Sequence, residues 1–168
     1  LFVAGSKSLR RLNVTSSDEE SFAPVFCRKL FSSTLRVLHF LDPLIGSDGE
    51  DFSRSVCNMP QLEELKLNFM ERNSIDVFNQ SLLRSSYFFA LKTLSAHIAV
   101  DHYTMLFKFF TALKNKTRLR TLEVACVHDT VISALRSSEL LLGGWLSNVR
   151  IELHDLDAWS DLRDLAAK

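Results

Sequence analysis

One arrangement of apolar and polar positions recurs along the chain. An apolar residue stands at the first, fourth and sixth place, with mostly polar or charged residues between. It appears as "LRRLNV" at 9–14, "LRVLHF" at 35–40, "LEELKL" at 62–67, "LKTLSA" at 91–96, "LRTLEV" at 119–124 and "LSNVRI" at 146–151. The first leucines fall at 9, 35, 62, 91, 119 and 146, so successive units are 26–29 residues long. Places four and six are two apart, which is the strand period, so each core is expected to form a short strand.

The stretches between the cores have helical character. Ser74 precedes "IDVFNQSLLRSSYFF", Asp101 precedes "HYTMLFKFFTALKNK", Asp129 precedes "TVISALRSSELLL" and Asp157 precedes "AWSDLRDLAAK". Ser and Asp side-chain oxygens accept from the free N–H groups of a first helical turn, so all four are expected as N-caps. Leu106, Phe110 and Leu113 fall at i, i+4 and i+7, with Phe107 and Phe109 widening that face. Phe52, Val56 and Met59 offer a shorter face in the segment 48–59. The segment 18–30 contains Pro24, which fits a helix only in its first turn. Each unit therefore reads as strand, turn, helix and return loop.

These cores resemble leucine-rich repeats, and the period with a full helix looks most similar to the ribonuclease-inhibitor-like class. "NMPQLEELKL", with Pro60 two residues before Leu62, also resembles repeats of F-box-associated proteins. The resemblance implies an α/β solenoid, a curved horseshoe arc of six strand–helix repeats. It places a parallel sheet on the concave face and the helices on the convex face. No unit of such an array buries its own leucines; its neighbours do. The family pattern puts Asn or Cys at place nine, bonding neighbouring loops. Here that place holds Ser17, Pro43, Met70, Ala99, Val127 and His154, so, apart from a contribution from Ser17, a side-chain ladder is not expected. Cys126 falls one place early.

Composition fits repetition: 28 of 168 residues are leucine, an excess that a repeated core explains. The 20 basic and 20 acidic residues balance, so nothing global points to nucleic acid or an anionic membrane. No apolar run approaches the ~20 residues of a membrane helix. Cys27, Cys57 and Cys126 make neither a disulfide framework nor a zinc pattern, which favours a reducing, cytoplasmic setting. The chain begins at Leu1 rather than Met, and "LFV" at 1–3 fits the tail of an earlier unit. Trp159, Leu162 and Leu165 fit the convex layer of the sixth, with no dedicated cap after them. Residues 1–168 are thus expected to be one repeat domain within a longer chain. Its open ends are expected to take further repeats or a capping partner.

Places three, five and seven alternate with the core places and are expected to face out. Place three carries Arg11, Val37, Glu64, Thr93, Thr121 and Asn148. Place five carries Asn13, His39, Lys66, Ser95, Glu123 and Arg150. Place seven carries Thr15, Leu41, Asn68, His97, Ala125 and Glu152. Place two, near the edge, carries Arg10, Arg36, Glu63, Lys92, Arg120 and Ser147. Arg10, Arg11 and Arg36 cluster in the first two units, with Asp18, Glu19 and Glu20 nearby in sequence. Val37, His39 and Leu41 make that region partly apolar. Glu123 and Arg150, in adjacent strands, are candidates for a lateral ion pair. The expected partner-binding residues are Arg10, Arg11, Arg36, Val37, His39, Leu41, Glu64 and Lys66.

Catalysis is not expected. "ACVHD" at 125–129 groups Cys126, His128 and Asp129, and a Cys–His pair can activate a thiolate. The plainer reading puts Cys126 in the turn after its strand and Asp129 at an N-cap. The histidines show no paired metal-ligand spacing, so neither a metal nor another cofactor is expected. Three N-x-Ser/Thr sequences begin at Asn13, Asn79 and Asn115 and read as coincidence. The leading functional reading is a non-enzymatic scaffold that binds another protein through the concave face. Two narrower alternatives are the substrate-recognition part of an F-box-type ubiquitin ligase and the ligand-sensing region of an immune receptor. A cysteine-dependent enzyme remains as the contrasting class.

Overall fold

A computed structural model describes residues 8–14, 34–41, 48–69, 72–85, 90–116, 119–142 and 146–153. It holds six strands: β1 Arg11–Val14, β2 Val37–Phe40, β3 Glu64–Phe69, β4 Thr93–Ile98, β5 Thr121–Cys126 and β6 Asn148–Leu153. They form one parallel sheet in sequence order. Four helices are present among the described residues: α1 Asp48–Cys57, α2 Arg72–Arg84, α3 Tyr103–Lys116 and α4 Thr130–Ser137. A short 3₁₀ turn, Leu140–Leu142, follows α4. Each helix joins one strand to the next, which is the connection a parallel pair requires.

Every strand pairs place by place. Arg11, Val37, Glu64, Thr93, Thr121 and Asn148 lie side by side across the sheet. One backbone device fixes this register five times. The carbonyl of Arg10 accepts from the N–H groups of Arg36 and Val37, and that of Arg36 from Glu63 and Glu64. Glu63, Lys92 and Arg120 carbonyls do the same for the units that follow them. The place-two carbonyl thus receives two donors at the start of each next strand, at 2.7–3.0 Å. Both of its lone pairs are satisfied where a parallel ladder begins.

From β2 to β5 the alternation of burial follows the expected places; in β6 the place-four Val149, expected inward, is 42% exposed. Leu38, Leu65, Leu94 and Leu122 are fully buried, as are the first leucines Leu35, Leu91 and Leu119. Place six is filled by Phe40, Leu67, Ala96 and Val124. The strands run further than the six-residue cores suggested. In β3, β4 and β5 they reach place eight, where Phe69, Ile98 and Cys126 point inward and are fully buried. This corrects the placement of Cys126 in a turn: it is the last residue of β5.

The helices bury one stripe each against this layer. Phe52, Val56, Cys57 and the following Met59 serve α1; Ile75, Phe78 and Leu82 serve α2. Leu106, Phe109, Phe110 and Leu113 serve α3, while Phe107 is only partly buried and stacks on Tyr103. Val131, Ala134 and Leu135 serve α4. All join one core with the strand residues. Within it, Phe69, Phe78 and Phe109 meet edge to face with centroids 5.5–6.1 Å apart. The aromatic quadrupole favours that geometry over a face-to-face sandwich.

Three expected caps differ. α2 starts at Arg72, so Ser74 sits inside its first turn and is buried. α3 starts at Tyr103, and His102 Nδ1 accepts from Met105 N–H at 3.4 Å, while Asp101 accepts from Thr130 Oγ1 at 2.7 Å. Asp129 does hold the N-cap position of α4, but its side chain makes no capping bond. Its backbone is already helical, which turns the carboxylate away from the free N–H groups. The expected segments 1–3 and 18–30, the helix after Asp157 and the place-nine residues Ser17, Pro43, Met70 and His154 lie outside the described residues. No described helix is long and apolar enough to cross a membrane.

Candidate partner-binding surface

The outward side chains of β2–β5 are half-buried where their inward neighbours are fully buried. The face is therefore a row of partly exposed side chains held at strand spacing, ~4.8 Å from one unit to the next.

Charges on this face are largely paired with each other. Along place two, Glu63 lies between Arg36, at 3.0 Å, and Lys92, at 2.9 Å. The hydrogen bond from Lys92 holds the Glu63 carboxyl below the ordinary carboxylate range; partial desolvation opposes this, and the charges of Lys92 and Arg36 add to it. His39 Nε2 lies 2.6 Å from Glu64 Oε1 in the adjacent strand. Arg150 pairs with Glu152 of its own strand at 2.5 Å, not with Glu123 beside it. The lateral Glu123–Arg150 bridge is thus replaced by a bridge along β6, whose two partners sit on the same pleat face.

A depression of about 290 Å³ opens on this face. It exists because the outward places of β4 and β5 alternate in size. Ser95 and Ala125 are short and leave room between longer neighbours. Leu41, Lys66 and Asn68 bound one side; Arg150 and Glu152 bound the other. Asn68 Nδ2 donates to Leu41 O at 3.4 Å, which leaves Asn68 Oδ1 to accept from His97 Nδ1 at 3.0 Å. That chain ties three strands together along one wall.

The predicted binding residues divide accordingly. Arg10, just before β1, and Arg11, its first residue, are exposed. Arg36 is drawn toward Glu63, so the three arginines do not form an uncompensated patch; the place-two carboxylate of the third unit neutralises one of them. Val37 is half-buried, and His39 and Glu64 are engaged with each other. Leu41, 41% exposed, and Lys66 both line the depression. Ser95, His97, Glu123 and Ala125 complete it, although they were only members of the outward rows in the sequence. The available signal was the pair of short residues, Ser95 and Ala125, between longer ones at the same places.

Cys126 faces the core, and burial pushes its thiol up to about 11. Cys57 is buried and shifted further in the same direction. A protonated, enclosed thiol is a poor nucleophile. Among the described residues, no three His, Cys, Asp or Glu side chains come together to hold a metal. Asn79 is buried on α2, so it is closed to glycan attachment in the folded chain. No family model matches this sequence, and neither a curated protein nor a solved structure matches it.

Proposed function

We propose that the chain is a non-enzymatic protein-binding scaffold, built as a leucine-rich repeat arc that holds its partner against the outward face of the sheet. The 26–29 residue period, the in-register parallel sheet and the repeated place-two carbonyl support the repeat reading. Packing supports the arc: strands stack ~4.8 Å apart and packed helices 8–10 Å, so the helical layer takes the longer, convex path. The observation that carries the binding reading is the depression on the outward face, lined by Leu41, Lys66 and residues of β3–β6. Partly exposed side chains on a rigid sheet are already ordered, so docking costs little further conformational entropy.

The experiment is a two-hybrid or displayed-peptide selection with the chain as bait, followed by surface variants of the same fold. Ser95→Trp and Ala125→Trp fill the depression. Val37→Asp with Leu41→Asp, and Arg10/Arg11/Arg36→Glu, alter the neighbouring strands. Selected binders should be lost with the tryptophan variants and weakened by the Val37/Leu41 pair. Binding unchanged in every folded variant would place the partner elsewhere and sink this reading.

A further inference from the structure

We infer that the depression receives a loop of a partner protein bearing one acidic and one basic side chain, the acidic one meeting Lys66 and the basic one meeting Glu123. This deepens the binding reading above and rests on it.

The inference comes from which charges on the face already have partners. Arg36, Glu63 and Lys92 form one ion network, His39 and Glu64 a second, and Arg150 and Glu152 a third. Lys66 and Glu123 take part in none of these and have no other side-chain bond among the described residues. Both line the depression and both are half-buried. They stand in one row, with Lys66 beside Ser95 and Ser95 beside Glu123. Two strand steps separate their backbones by ~10 Å. Ser95 is too short and uncharged to neutralise either.

An occupant that covers the depression takes water from both charges. It must return a carboxylate to Lys66 and a cation to Glu123, or leave a desolvated charge unpaired on each side. The same requirement rejects uniform partners. A polyanion meets Glu123 and Glu152; a polycation meets Lys66 and Arg150. Leu41, whose carbonyl accepts from Asn68, adds an apolar wall to the same depression for a hydrophobic side chain of the loop. A helix is 10–12 Å across with its side chains, whereas about 290 Å³ admits only a few side chains, which favours a loop.

The probe is a set of short fluorescein-labelled Gly/Ser peptides. They carry one Glu and one Arg at graded separations, in both orders, with two-Glu, two-Arg and uncharged controls. Fluorescence anisotropy should show binding to Glu/Arg peptides in one order only. Lys66→Glu and Glu123→Lys should each weaken that binding about tenfold or more. The double exchange, Lys66→Glu with Glu123→Lys, should regain binding to the peptide of opposite order. Both positions face outward, so circular dichroism should report the fold retained. Three results overturn the inference: no Glu/Arg peptide binds, controls bind equally well, or the charge reversals have no effect. A selected partner that Ser95→Trp abolishes but Lys66→Glu and Glu123→Lys leave untouched would keep the scaffold reading and remove this one. Indifference to all of these variants would remove both.

Discussion

Phe69, at the end of β3, meets Phe109 of α3 edge to face, with ring centroids 5.7 Å apart and planes at 74°. Phe69 also contacts Phe78 of α2, so one strand residue joins the helices on either side of β4. Replacing it with alanine removes a fully buried ring and leaves a cavity between two units. Phe69→Ala should cost ~3–5 kcal/mol, read as a lower urea midpoint. A cost below about 1 kcal/mol would show that this ring cluster does not hold the units together.

Position in the sheet should matter as much as residue type. Leu94, in β4, is fully buried between strands on both sides, whereas Leu12 on the edge strand β1 is only partly buried. Leu94→Ala should destabilise by ~2–5 kcal/mol, and Leu12→Ala by clearly less. Hydrogen exchange should show the Leu94 loss spreading into β3 and β5, since β4 pairs with both and its inward residues share one core with theirs. Equal costs at the two positions would contradict that dependence.

Glu63 offers a pH test. Its carboxyl sits below the ordinary value of 4.5 because Lys92 and then Arg36 stabilise the charged form. With a depressed folded value, the unfolded chain binds more protons in this range. The pair's contribution is therefore present above 4.5 and is lost as pH falls through the folded value. A carboxyl titration by NMR should place Glu63 below 4.5 and move it upward in Lys92→Met. Because the pair is exposed, added salt should shrink the shift.

Cys126 gives the opposite sign. Burial raises its thiol from 9.0 to about 11. Between those values the unfolded chain has lost a proton that the folded chain keeps, so this site contributes less stability as pH rises through that window. Near neutral pH, iodoacetamide should label Cys126 far more slowly than free cysteine, with urea restoring the rate. A fast-reacting thiol in the folded chain would revive the cysteine-enzyme reading.

The sequence determined the strand places and the period, and it placed the inward leucines correctly from Leu35 to Leu122. It could do so because alternation along a strand is local: the backbone sends successive side chains to opposite faces whatever lies nearby. It also identified the α3 face of Leu106, Phe110 and Leu113, since the helical period is equally local. The caps were less legible. Asp101 and Asp129 sit at suitable spacings, yet one bonds Thr130 and the other makes no capping bond.

Only the tertiary structure decided what happens between units. Arg36 meets Glu63 across 27 positions, Lys92 meets Glu63 across 29, and Arg150 turns to Glu152 rather than Glu123. Those choices depend on register, side-chain reach and competition among neighbours, none of which a linear pattern contains. The depression is of the same kind. Ser95 and Ala125 are ordinary small residues in the sequence, and they become a floor only when parallel pairing sets longer side chains on either side. Periodicity fixes which residues face out; packing across strands decides which of them remain free to touch another molecule.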